Sequence, residues 1–81
     1  MELVLVTMSG VVFSGKASKV TIPTTSGQIT VLPKHTPLIS QISPGLLIAH
    51  TDEGKKEFTV GPGVLAVRRN GWVVALIDSA E

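Results

Sequence analysis

Eighty-one residues suffice for one compact domain, residues 1–81, and leave no room for a separate cofactor domain. The absence of cysteine excludes disulfide frameworks, thiolate zinc sites and thiol nucleophiles, and fits a reducing compartment. Seven Lys plus Arg against six Asp plus Glu leave no strong field to attract nucleic acid or acidic lipid, and the apolar runs fall far short of the ~20 residues a membrane helix requires.

Met1-Glu2 is acidic and leads directly into Leu3-Val4-Leu5-Val6, without the pattern of a signal peptide. Eight Gly and five Pro are spread so evenly that helices have little room, and strands fit better. Val20 and Ile22, then Ile29 and Val31, then Phe58 and Val60 alternate with polar neighbours, so these six should face a core. Turn signals separate the strands at Ser26-Gly27, Pro44-Gly45, Asp52-Glu53-Gly54 and Gly61-Pro62-Gly63. Asn70-Gly71 tolerates positive φ at both positions, which predicts a type I′ hairpin joining Val64–Val67 to Trp72–Ile77. The pattern is that of an all-β fold: a flattened antiparallel β-sandwich of about eight to ten short strands with no substantial helix.

Several strands do not alternate. Leu3–Val6, Leu46–Ala49 and both arms of the last hairpin are apolar on two faces, whereas a sandwich of this size gives each sheet only one inner face. The excess predicts an exposed apolar patch of the kind that marks a protein interface. The paired bases Lys55-Lys56 and Arg68-Arg69 read as solvated hairpin ends.

Catalytic chemistry finds little support. The only histidines are His35 and His50, with no nucleophile elbow. His50-Thr51-Asp52 offers two metal ligands without a third at motif spacing, and no glycine cluster precedes Gly-Lys-Ser/Thr as a phosphate loop would. No catalytic residue, cofactor or metal site is expected. A lipoyl or biotinyl carrier domain is an alternative of similar size, but no lysine here has the Asp-Lys-Ala or Met-Lys-Met surroundings of that class. A free-standing protein-binding sandwich is the other alternative.

Pro33 and Pro37 restrict Leu32 and Thr36 to extended geometry and force a corner at Lys34-His35. In order, Phe13-Ser14-Gly15, Val20–Pro23, Ser26–Leu38 with its Leu-Pro-x-His-x-Pro-Leu corner, Pro44–Ile48, Val60–Val67 and Val74–Glu81 resemble the N-terminal β-sandwich of the epsilon subunit of F-type ATP synthases. That resemblance implies a non-catalytic rotor component, joining the gamma shaft to the membrane ring of c subunits. It places the protein peripherally on the cytoplasmic face of a bacterial plasma membrane, or an equivalent energy-transducing membrane, with membrane association only through the complex. By motif, Thr7, His35 and Ser40 would lie toward gamma, and Gln28, with Lys34, toward the c-ring. Gln28 stands where many bacterial members carry an acid, which implies a neutral hydrogen bond there. Thr30 and Lys34 replace glycines common in the family, and Pro62 interrupts its paired glycines. Asp78–Glu81 looks like the cap of the family's first C-terminal helix. Without those helices, neither ATP binding nor inhibition by helix insertion is expected.

Overall fold

A computed structural model describes residues 1–34 and 36–80. Nine strands follow one another, β1 (Glu2–Thr7), β2 (Gly10–Lys16), β3 (Lys19–Thr24), β4 (Gly27–Val31), β5 (Leu38–Ile42), β6 (Gly45–Thr51), β7 (Gly54–Val60), β8 (Gly63–Val67) and β9 (Trp72–Ile77), with no helix among the described residues. The all-β expectation is met. Two layers result: sheet I runs β2-β1-β9-β8-β5, and sheet II runs β4-β3-β6-β7. Every pairing is antiparallel except that of β1 with β9, the first and last strands, which run parallel side by side within sheet I.

The core lies between the layers. Leu3, Leu5, Leu65, Val73, Ala75 and Ile77 of sheet I meet Val20, Ile22, Val31, Leu47, Ala49 and Val60 of sheet II, all buried. Four of the six residues expected to face inward are thus fully buried, and Ile29 and Phe58 pack half-buried against them. At one side the edge strands are joined by the tilted rings of Phe13 and Phe58, whose centroids are 5.7 Å apart. At the other, β3 crosses to β5 through the pair Thr24 and Ile42, assisted by the Thr25 amide donating to the Gln41 carbonyl at 3.1 Å. After β9 the chain leaves sheet I for the end of β7, where Ala80 bridges Val60.

Three hairpins repeat one device. In Thr7-Met8-Ser9-Gly10, Thr24-Thr25-Ser26-Gly27 and Thr51-Asp52-Glu53-Gly54 the threonine oxygen accepts the amide two residues on, at 3.2 Å each time. The same hydroxyl donates to the glycine carbonyl, and each glycine has positive φ. A threonine thereby replaces backbone partners in the turn, while glycine takes the left-handed residue without a Cβ clash.

The last hairpin differs from expectation. Gly71 has φ +87°, but Asn70 is not in the left-handed region. The Gly71 amide donates to the Arg68 carbonyl and the Arg68 amide to the Trp72 carbonyl, so the turn spans Arg68–Gly71 and Gly71 forms the bulge beyond it. Asn70 contributes its side-chain oxygen to the Trp72 amide at 3.3 Å.

Candidate interaction surfaces

The two sheets have unlike outer faces. On sheet I, Gln41, Val64, Leu76, Val6 and Val11 form one cross-strand row, and Ile39, Ala66, Val74, Val4 and Ser14 the next. Ile39 is 80% exposed and Leu76 55% exposed. The equivalent row on sheet II is Thr30, Thr21, Ile48 and Glu57, flanked by Lys19, His50 and Lys55 on one side. The two-faced apolar strands β1, β8 and β9 therefore sit side by side, and their surplus forms one continuous patch. Leu46 and Ile48, from the fourth such strand, lie apart from it on the polar sheet.

The ends of the sandwich also differ. One end carries the Thr7–Gly10 and Thr24–Gly27 hairpins, Ser43-Pro44 and Pro62, with Asp78 as its charged residue among those described. Met8 projects from this end at 98% exposure. The opposite end carries the Leu32–Pro37 corner and the Arg68–Gly71 hairpin, which line common depressions. At that corner Lys34 has φ +67°, the left-handed region that glycine enters freely and a lysine enters at a cost of about 1 kcal/mol.

His50 lies in a cross-strand row between Lys19 and Lys55. Desolvation in the strand first, and then the charges of Lys19 and Lys55, hold its pKa below the usual histidine value.

The residues assigned to partners by motif do not form one cluster. Gln28 is exposed beside the Thr24–Gly27 hairpin, whereas Lys34 follows the other end of β4, at least about 10 Å away at ~3.3 Å per residue. The two therefore occupy opposite ends. Thr7 is half-buried and its hydroxyl is engaged in the turn. Ser40 is half-buried opposite Leu65, on the inner side of edge strand β5. Each directly follows a member of the apolar patch, Val6 and Ile39. His35 lies outside the described residues.

A family model for the β-sandwich domain of the ATP synthase delta/epsilon chain matches residues 1–81. The chain belongs to that family. Among curated relatives, the ATP synthase epsilon chain of Bordetella avium is 46% identical over 70 residues, covering 85% of this chain and 49% of its own length. That of Bordetella petrii is 38% identical over 81 residues, covering 99% of this chain and 57% of its own. The chain thus spans about half the length of the curated epsilon chains it matches. A chain in the Euglena gracilis mitochondrial ATP synthase structure containing OSCP, F1 and the c-ring superposes with a TM-score of 0.91 at 25% identity, covering 98% of this chain and 51% of that one. A chain from the central stalk and c-ring of the Tetrahymena thermophila mitochondrial enzyme has the same fold, with a TM-score of 0.83 at 16% identity and coverage of 100% and 65%. The epsilon-family β-sandwich is therefore the architecture that presents these two faces and two ends.

Among the described residues, no helix is long and apolar enough to cross a membrane. No cluster of His, Asp and Glu among them could hold a metal ion.

Proposed function

We propose that this domain is a non-catalytic coupling element of an ATP synthase central stalk, held between the gamma shaft and the c-ring. The observation that carries this reading is the contrast between the outer faces. A face five strands wide, about 20 Å at ~4.8 Å per strand, leaves Ile39, Val64 and Leu76 in water unless a partner covers it. Gamma is that partner, and the motif assigns Thr7, His35 and Ser40 to it; Thr7 directly follows Val6 of the face, and Ser40 directly follows Ile39 on edge strand β5. The end bearing Gln28, Thr25 and Ser43 turns to the polar loops of the ring, where uncharged hydrogen bonds suit Gln28. Lys34, at the other end, has no part in that contact. The close-packed core makes the sandwich stiff enough to transmit torque between two interfaces. The domain works at the membrane face of the complex and needs no segment of its own in the bilayer. Either a proton or a sodium ion could drive the ring to which it couples.

The test is binding to purified F1 stripped of its own copy of this chain. Ile39→Asp with Leu76→Asp should weaken binding at least tenfold while leaving the unfolding midpoint nearly unchanged, because both side chains are already exposed. Thr59→Asp on the polar sheet should bind normally. Equal affinity for all three would refute the assignment of the face, and failure of the unaltered chain to bind would refute the rotor role.

A further inference from the structure

The end of the sandwich away from Gln28 gathers charge that the rotor contacts do not use. Lys16, Lys19, Lys34, Lys55, Arg68 and Arg69 all lie at or just beyond strand ends on that side, where Glu2 and the Asp52-Glu53 turn also stand, whereas the opposite end has no basic residue among those described. Three of them converge. Lys34, Arg68 and Arg69 line one depression together with Val31 and Leu32, and Lys34 and Arg69 line the adjoining one with Pro37. Among the described residues, no carboxylate lines either. Glu2 is separated from Arg68 by Trp72, which pairs with Glu2 on one side and receives the Arg68 amide on the other.

The backbone supplies a second, independent observation. Among the described residues Lys34 is the one non-glycine with positive φ, so a charged side chain occupies a place that glycine would fill without strain. A strained position that carries a charge on an exposed corner points to a use for the charge. Arg68 supplies a third, because it also borders a shallow groove lined by Ile39 and Ala66, which joins the cations to the apolar face of sheet I. The surroundings are aliphatic and shallow, as suits side chains of a peptide, rather than a pocket of converging amides that would hold a compact phosphate.

We propose that Lys34, Arg68 and Arg69 form a docking site for an acidic segment of the protein that covers the apolar face of sheet I. The segment's carboxylates pair with the two guanidiniums and the ammonium, while its apolar residues continue onto Ile39 and Ala66. Arginine forks orient carboxylates, and the accumulated charge speeds encounter. That the segment belongs to gamma rests on the rotor reading; its acidic character does not.

The experiment compares the unaltered chain with Lys34→Gly/Arg69→Gln, both added to stripped F1 at increasing salt. Lys34→Gly removes charge and relieves the backbone, so the variant should melt no lower than the parent. Its association at low salt should be roughly tenfold slower, and should fall clearly less steeply with added salt than that of the parent. Parental rates and salt dependence in the variant would overturn the proposal and leave the rotor reading intact. If neither protein binds F1, the rotor reading fails and a backbone NMR titration decides the site. A hexaglutamate peptide should shift the amides of Lys34, Arg68 and Arg69 in the parent and not in the variant. Shifts with pyrophosphate alone, or with neither probe, would overturn the proposal.

Discussion

Gly63 determines how closely the last hairpin can pack. A Cβ built there would run into the Leu76 carbonyl oxygen and stand 2.7 Å from the Ile77 Cα, both backbone atoms that cannot yield without parting β8 from β9. Gly61, on the other side of Pro62, would meet chiefly the Ser79 hydroxyl at 2.9 Å, the end of a side chain that can rotate. Gly63→Ala should therefore lower stability by about 3 kcal/mol in urea unfolding, and Gly61→Ala by well under half of that. Equal losses would show that strand separation is not what Gly63 prevents. The sequence displays Gly61-Pro62-Gly63 only as a turn signal, because the neighbour that makes Gly63 indispensable is a strand more than ten residues away. At Lys34 the prolines announced a corner, and only the glycine common at that place in the family hinted at its positive φ.

At the scale of the element, the strands were legible because polar and apolar residues alternate or run together at strand length, and glycine and proline punctuate them. The turn chemistry was legible only in part. Asn70-Gly71 announced the final hairpin, but the loop is longer than the pair and uses Asn70 as a side-chain acceptor. The repeated Thr-x-x-Gly turns were present in the chain at Thr7, Thr24 and Thr51, yet the glycine was visible and the threonine was not, since one hydroxyl serving two bonds has no signature in hydropathy. Thr→Val at these positions keeps the branched shape and removes both bonds. Thr51→Val, at an exposed tip, should cost about 1 kcal/mol. Thr24→Val should cost more, because Thr24 is buried at the junction of β3, β4 and β5 and its bond to the Gly27 carbonyl is 2.5 Å. Chemical denaturation of both variants tests the ranking, and a larger loss at Thr51 would contradict it.

For the whole molecule, near-neutral composition concealed an uneven placement of the basic residues. The hairpins bring basic residues from five separate stretches to one end, which no count of Lys and Arg displays, and the apolar surplus of β1, β8 and β9 became one face only once the parallel pairing of β1 with β9 was known. The same polarity has a consequence for pH. His50 stands in line with Lys19 and Lys55, so protonating it adds a third positive charge to a row that already holds two. Desolvation and these lysines lower its folded pKa, while the unfolded chain keeps a value near 6.5. Just below that pH the unfolded state binds more protons than the folded one, so stability must fall as the solution is acidified from about 6.5 through the folded pKa. Above about 6.5 His50 is neutral in both states and contributes no slope. In His50→Gln this part of the acid sensitivity should disappear, making the drop in urea midpoint between pH 7.5 and pH 5 smaller than in the parent. Added salt should narrow the parent's drop as well, because screening weakens the repulsion from the two lysines. Identical drops in parent and variant would assign the acid sensitivity to the carboxylates instead, and the Lys19–His50–Lys55 row would then have no role in it.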